Sequence, residues 1–127
     1  MKDLSFDELR TLWEERLTSD EKAGIERAGW ELTEGLGLKA LLITRGSEGM
    51  VLFEHAKETL SIPIVGGRDV VDVTGAGDTV IATYTLALSS GASFSDAAHL
   101  ANHAGGLVVM KRGTATISPD ELLASIQ

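Results

Sequence analysis

The chain has 127 residues, of which 43% are hydrophobic and 24% charged, a composition typical of a folded domain and not of a disordered segment. The formal net charge of −8 argues against nucleic acid and anionic membrane surfaces as partners, because no basic patch is available to contact phosphates. The absence of cysteine excludes disulfides, thiolate metal sites and a cysteine nucleophile. Since no apolar run approaches a membrane span and no signal region is evident, we expect one cytoplasmic domain over residues 1–127.

Two capping boxes predict two helices near the N-terminus. Ser5 is followed by Glu8, and Thr18 by Glu21, the spacing at which a hydroxyl and a carboxylate cap each other's backbone N–H groups. We expect the first helix over residues 5–16 and the second to begin near Thr18. The buried stripe of the second helix should comprise Ile25, Ala28, Leu32 and Leu36. Two glycines then end this helix.

Three strands are predicted next. Residues 38–44 form a short apolar run that follows a helix, and we interpret it as a central, parallel strand. Residues 50–53 and 58–64 are interpreted as two further strands around a polar bend at 55–57. Together with the helices, these strands predict an α/β fold in which helices pack on a mainly parallel sheet.

The last part of the chain is predicted to be helical. Residues 78–88 are apolar nearly all round, which indicates a buried helix. Another buried helix should extend over about 94–110, with Ser93 and Asp96 as its cap. Residues 118–121, Ser-Pro-Asp-Glu, are typical of the start of a third helix.

The most informative motif is at residues 72–78, Asp-Val-Thr-Gly-Ala-Gly-Asp, where a strand-like run enters a glycine turn that opens into a helix. A helix start presents unpaired N–H groups and a positive dipole end, so it favours anions. The carboxylate of Asp78 would repel a phosphate that is only held there. The carboxylate is instead suited to act as a base, accepting a proton from a hydroxyl that attacks a phosphoryl group during its transfer.

The residues around this turn disfavour two other interpretations. A dinucleotide fingerprint would need a small residue where Val80 stands, and a Walker-type phosphate loop would need a lysine after the glycines. Two interpretations remain. In one, the turn is purely structural and Asp78 interacts with the helix dipole. In the other, the turn is an anion hole that includes a base. Spacing alone does not decide between these last two.

The other candidate polar residues give weaker signals. His99 and His103 have the spacing of a zinc-protease helix, but Leu100 replaces the glutamate that such a site needs. We therefore interpret both histidines as packing or surface residues. Asn102 either bonds locally within its helix or contacts the edge of a ligand. Trp13 and Trp30 are interpreted as core or partner-facing anchors, and residues 111–112 as partners of a helix C-terminus.

Three stretches resemble one protein family. Residues 71–79, Val-Asp-Val-Thr-Gly-Ala-Gly-Asp-Thr, resemble the C-terminal signature of ribokinase-like carbohydrate kinases of the phosphofructokinase-B type. Residues 43–50, Ile-Thr-Arg-Gly-Ser-Glu-Gly-Met, resemble the family's nucleotide-side strand and turn. Asn102, with residues 111–114, resembles its adenine-side helix and loop. Within the family, these stretches look most like the kinase domain of heptose-7-phosphate kinases, which feed ADP-heptose and lipopolysaccharide synthesis.

The resemblance implies a role for each matching residue. Asp78 would be the catalytic base that activates a sugar hydroxyl, with magnesium-bound ATP as the phosphoryl donor. The anion hole would be formed by the backbone of Gly75, Ala76 and Gly77. The nucleotide site would comprise Thr44, Arg45, Gly46, Gly49 and Asn102. Asp72 and Thr74, with the loop around Gly113, would match a monovalent-cation site that suits K⁺.

The resemblance also implies what surrounds this stretch in the family. Its members are considerably longer, and their N-terminal half carries the sugar-binding residues and a lid. We therefore expect the chain to be the C-terminal, nucleotide-binding portion of a sugar kinase and to be inactive alone. A sheet edge left unpaired would favour a homo-oligomer or association with another chain. The alternative is a non-catalytic nucleotide-binding or assembly module derived from such a kinase.

Overall fold

The computed structural model describes residue 5 and residues 7–8, 21–65, 73–113 and 115–126. Its main elements, in chain order, are α1 (Glu21–Gly35), β1 (Ala40–Thr44), β2 (Met50–Glu54), β3 (Leu60–Ile62), α2 (Ala76–Ser89), α3 (Phe94–Val108) and α4 (Pro119–Ile126). The chain divides into two compact units, the first comprising Met1–Ile43 and Val51–Leu60 and the second Thr44–Met50 and Ser61–Gln127. The single domain expected over residues 1–127 stays a prediction.

Helix α1 follows its sequence pattern closely. Ile25, Ala28 and Leu32 are buried, as the helical stripe predicts, whereas Leu36 lies beyond the helix end and is exposed. The N–H of Leu38 donates to Thr33 O at 2.9 Å and the N–H of Gly37 to Glu34 O at 3.2 Å. This pair of bonds, with Gly37 at φ 63°, is a Schellman motif, which only glycine enters without steric cost.

The three strands form one sheet in the order β1-β2-β3. The N–H of His55 donates to Lys39 O and the N–H of Arg45 to Gly49 O, each within 2.9 Å. Both bonds fit one antiparallel register of β1 and β2. The described strands thus differ from the mainly parallel sheet that we expected, because parallel neighbours need a crossover of about a dozen residues and the connection here is a tight turn.

The core of the first unit is built from large side chains. In the antiparallel register, Ile43 faces Val51, and Phe53 lies on the same face of the sheet. These three residues pack with Ile25 of α1, and Trp30 packs edge-on against the Phe53 ring at a centroid distance of 5.4 Å. Trp30 also donates its indole N–H to Thr59 Oγ1 at 2.9 Å, which satisfies the one polar group of the ring. Of the two roles predicted for Trp30, core anchor or partner-facing anchor, its partly buried packing against this core fits the first.

The second unit contains the three later helices, of which α2 packs against α3 and α3 against α4. The buried face of α3 carries mainly small residues, including Ala97, Ala101 and Ala104. The prediction that helix α2 is buried on all sides is wrong. Two of its apolar side chains, Ile81 and Leu86, are 64% and 69% exposed.

Local capping signals are confirmed wherever the structure describes them. Ser5 and Glu8 exchange hydrogen bonds of 2.9 and 3.2 Å, and Ser118 and Glu121 exchange bonds of 3.3 and 3.1 Å. Ser93 accepts from the N–H of Asp96 at 3.0 Å. Thr18, Trp13 and most of the helix expected over residues 5–16 lie outside the described residues. None of the helices that the structure describes has the length and apolar character needed to cross a membrane.

Candidate functional site

The glycine turn before α2 has the geometry of an anion-binding helix start. Gly75 is left-handed at φ 77°, and Thr79 N–H makes the first helical bond, to Gly75 O at 3.0 Å. Ala76 N–H turns back to Val73 O at 3.2 Å. Among the described residues, the N–H groups of Gly77 and Asp78 take no partner. Two bare amides at the positive end of a helix dipole would accommodate an anion.

Asp78 occupies the first turn of α2 and its side chain is exposed. No hydrogen bond or ion pair from a described residue engages its carboxylate. The group is therefore accessible to an incoming hydroxyl, as a base requires. The same position also fits the structural alternative, since a carboxylate in the first turn stabilises a helix through its dipole.

The turn between β1 and β2 is a short 3-10 helix, Gly46–Glu48. Gly49 follows at φ 87°, and a Cβ built there would lie 2.0 Å from Ile62 O. Glycine is thus required at 49 for close backbone approach as well as for its φ. The guanidinium of Arg45 pairs with the Glu48 carboxylate of the same turn.

A cavity of about 430 Å³ lies within the second unit. Six of the residues singled out from the sequence line it: Thr44, Gly46, Gly49, Ala76, Gly77 and Asn102. Its volume is in the range of pockets that hold small molecules, about 300–1,000 Å³. The structure thus brings together the β1–β2 turn, the start of α2 and the middle of α3.

Some predicted residues are not part of this cavity lining. Arg45, Gly75 and Asp78 are absent from the residues that surround it. Thr74 is exposed and is also outside the lining. Asp72, the other predicted ligand of a monovalent cation, lies outside the described residues. The cation site and the roles assigned to all of the site residues, including those that line the cavity, stay predictions.

The apolar part of the cavity was missed by the sequence analysis. It consists of Met50, Ile64, Val65, Val73, Val80 and Val109. Such side chains carry no signal that distinguishes a cavity wall from ordinary core. Two adjacent glycines, Gly105 and Gly106, also line it, and a glycine pair inside an apolar helix is a signal of close approach that could have been used.

Asn102 is 5% exposed and lies on the cavity-facing side of α3. Its side-chain amide donates to Pro63 O at 2.7 Å. A Cβ at Gly106 would lie 2.5 Å from Val65 O, and one at Gly105 would lie 2.9 Å from a Val80 methyl. Helix α3 therefore contacts two walls of the cavity at short range.

The other candidate polar residues have structural partners. His99 Nδ1 lies 2.8 Å from Ser95 O, and His103 Nδ1 lies 3.2 Å from Ser125 Oγ. No group of three or more metal-ligating side chains is found among the described residues. Lys111 was expected to satisfy the end of α3. Instead its ammonium donates to Thr116 O at 2.8 Å and pairs with Glu121 at 2.7 Å.

Lys111 also affects the acidity of its partner. The hydrogen bond from the Lys111 ammonium, followed by that from the Ser118 backbone, lowers the pKa of Glu121 below its ordinary value of 4.5. Glu121 is exposed, so water screens this interaction and its contribution to stability is small. The contact nevertheless links the residues after α3 to the first turn of α4.

Comparison with known proteins gives consistent results. Residues 4–121 match the family described as pfkB family carbohydrate kinase. The chain is 48% identical over 111 residues to the Bifunctional protein HldE of Geotalea uraniireducens, which covers 87% of this chain and 22% of that protein. It is 50% identical over 100 residues to the Bifunctional protein HldE of Geobacter sulfurreducens, which covers 79% of this chain and 20% of that protein.

The fold comparison agrees with the sequence comparison. The ribokinase of Arabidopsis thaliana, solved with ribose and ATP, aligns with a TM-score of 0.77 and 26% identity over 86% of this chain and 35% of that one. The predicted α/β, ribokinase-like fold is confirmed. The chain spans 20–22% of the length of the two HldE proteins to which it is similar in sequence. By its match over residues 4–121, the chain belongs to the pfkB family of carbohydrate kinases.

Proposed function

We propose that this chain forms the nucleotide-side portion of an ATP-dependent sugar kinase and acts as part of a longer or complemented enzyme. The observation that carries the proposal is the cavity of about 430 Å³ in the second unit. It is bordered by the β1–β2 turn, by Ala76 and the bare amide of Gly77 at the start of α2, and by Asn102 of α3. Apolar side chains at one part and unpaired N–H groups at another suit a ligand with a flat base and a polyanionic tail.

The proposed chemistry is phosphoryl transfer to a sugar hydroxyl. The Asp78 carboxylate accepts the hydroxyl proton as the sugar oxygen forms a bond to the γ-phosphorus of ATP. The bond from that phosphorus to the bridging oxygen breaks, and ADP leaves. The N–H groups of Gly77 and Asp78, together with the turn at Gly75 and Ala76, would stabilise the transferring group, because charge is spread over its oxygens.

Magnesium is assigned to the nucleotide in this proposal. The described residues contain no cluster of three or more ligating side chains, so they do not form a cage for a divalent cation. Mg²⁺ commonly binds through substrate phosphates and one or two carboxylates, and it would neutralise phosphate charge. The exposed Asp78 is the carboxylate nearest to the anion-binding turn in sequence. A potassium ion near Thr74 and Asp72 stays a prediction.

The acceptor proposed is heptose 7-phosphate, with its 1-hydroxyl as the attacking group. The support is the resemblance of residues 43–50 and 71–79 to heptose-7-phosphate kinases. The sugar-binding groups would come from chain outside this stretch. We also propose a cytoplasmic location for the enzyme. Purified alone, the 127-residue chain should show little sugar-dependent ATP consumption. Robust turnover by the chain alone would contradict this part of the proposal.

Replacing Asp78 with Asn in a complete enzyme that contains this stretch tests the proposed base. We expect kcat to fall by ~10²–10⁴-fold, the usual worth of a general base, with little change in nucleotide affinity. Asp96 is a matched control because it also lies exposed in the first turn of its helix. Asp96→Asn should leave kcat unchanged. Equal effects of the two substitutions would mean that Asp78 acts only through the helix dipole.

A second candidate function is a nucleotide-binding or assembly module without catalysis. It is favoured by one observation, that Asp78 is not among the residues lining the cavity. In that case a complete enzyme would bind ATP but transfer no phosphoryl group, and Asp78→Asn would change nothing. Association through a sheet edge, as a homo-oligomer or with another chain, stays a prediction that sedimentation can check.

A further inference from the structure

The cavity has one wall with no regular secondary structure. Residues 63–65 follow β3 and are neither helix nor strand. Ile64 and Val65 of this segment line the cavity, and Ile64 is 43% exposed. A segment without ladder hydrogen bonds depends on side-chain contacts for a fixed position. The contacts that hold it therefore decide whether the wall is in place before a ligand arrives.

Helix α3 supplies those contacts from one face. Asn102, Gly105 and Gly106 are separated by three and four positions, so they lie next to each other on the helix surface. The Asn102 amide donates to Pro63 O at 2.7 Å, and Gly106 has no side chain where Val65 O approaches. With a Cβ at 106 this oxygen would be 2.5 Å away, closer than any real contact allows.

We propose that Asn102 is a positioning residue: it anchors residues 63–65 on the bare surface of Gly106 and so sets the width of the cavity before nucleotide binds. The inference rests on the proposed nucleotide-binding function. It differs from a direct role of Asn102 at the edge of the base, because the amide donates an N–H to a backbone carbonyl. A wall fixed in advance costs less ordering on binding, so affinity depends on this bond.

The main test is Asn102→Asp, which keeps the side-chain size and removes the donor. At pH 8 a carboxylate would face the Pro63 carbonyl, acceptor against acceptor. In the nucleotide-free protein, NMR methyl order parameters of Ile64 and Val65 should fall, while those of Ile25 and Ile43 should not change. ADP affinity by calorimetry should weaken on the order of tenfold, as expected for the loss of one partly buried hydrogen bond.

A pH series adds a rescue by the same substitution. The ordinary pKa of an aspartic acid is about 3.9, and burial raises it, so lowering the pH toward 5 would protonate part of the variant's carboxyl group. The protonated acid can again donate to Pro63 O. The affinity deficit relative to the unsubstituted protein at the same pH should therefore shrink. His99→Ala is the control, since His99 is exposed and outside the cavity.

A second substitution covers the case in which Asn102→Asp does not fold. Gly106→Ala leaves every polar group in place but displaces Val65, and it should also lower the two order parameters and weaken ADP binding several-fold. Weakened binding with unchanged methyl order in the nucleotide-free protein would overturn the proposal and assign Asn102 to the ligand. Unchanged binding in both variants would overturn it as well. If the unsubstituted chain binds no nucleotide, the proposed function fails, while the methyl data still test the anchoring.

Discussion

The two units of this chain differ in the size of the side chains that they bury. The first is filled by large side chains, with Phe53 fully buried against Trp30, Ile25 and Val51. The second has a main helix whose buried positions are mostly alanine and glycine, and it contains a cavity of about 430 Å³. Large side chains fill the space between secondary-structure elements. Small side chains let the backbones approach closely but leave part of the space between elements unfilled, where a ligand can bind. The comparison indicates a structural role for the first core and a ligand site in the second unit.

The largest stability effect should come from the first core. Phe53→Ala removes a fully buried ring, and we expect the free energy of unfolding to fall by ~3–5 kcal/mol. Leu86→Ala is the control because Leu86 is exposed on α2, and it should stay within about 0.5 kcal/mol. Urea denaturation measures both. Similar losses of unfolding free energy in the two variants would contradict the distinction between a filled first unit and a second unit that contains a cavity.

Overpacking the same core should cost less than emptying it. A Cβ at Gly29 would lie 2.1 Å from the Phe53 ring, so Gly29→Ala forces the ring or the helix to move. We expect a loss of about 1–3 kcal/mol, typical of an overpacked core. Gly77→Ala meets no atom within 4 Å in the described structure and serves as the matched glycine substitution. A neutral Gly29→Ala in urea denaturation would mean that this core is loosely packed.

The capping box of α4 should contribute a smaller, local amount in the second unit. Ser118→Ala removes the acceptor of the Glu121 N–H, and the expected loss is about 1 kcal/mol. Thermal unfolding followed by circular dichroism would measure it. The variant Ser118→Asp retains a capping oxygen and should recover most of the stability. No recovery with aspartate would argue against a capping role.

The smallest effect is a pH dependence of the same helix start. Because Lys111 holds the pKa of Glu121 below 4.5, the folded protein binds the proton less readily than the unfolded chain does. The stabilising contribution is complete above that ordinary value and is lost as pH falls through the lowered pKa. An NMR titration should give a pKa for Glu121 below 4.5, and Lys111→Gln should return it toward 4.5. A Glu121 pKa that does not respond to Lys111→Gln would contradict this coupling.

Local features of the fold could be predicted from sequence. The boxes at Ser5 and Ser118 and the cap at Ser93 need only neighbours within three positions. The exposure of Ile81 and Leu86 could not be predicted, because an apolar helix does not specify what covers it. The strand direction was recoverable, since the short connection after β1 allows only an antiparallel partner.

The candidate site was predicted in part for similar reasons. Glycines and polar residues such as Gly46, Gly77 and Asn102 stand out in a sequence, and the structure places them around one cavity. The valines that complete the wall do not stand out, because their role depends on which segments meet across the space. The bond from Asn102 to Pro63 joins positions 39 apart and has no local signature.

The most direct test of the account is an NMR titration of the 127-residue chain with ADP, following backbone amides. We expect saturable shifts at Gly46, Gly49, Gly77, Gly105 and Gly106, all in the second unit, with small changes at Ile25, Val51 and Phe53 in the first. Absence of any shift at millimolar ADP, or shifts confined to the first unit, would contradict a nucleotide site in this cavity.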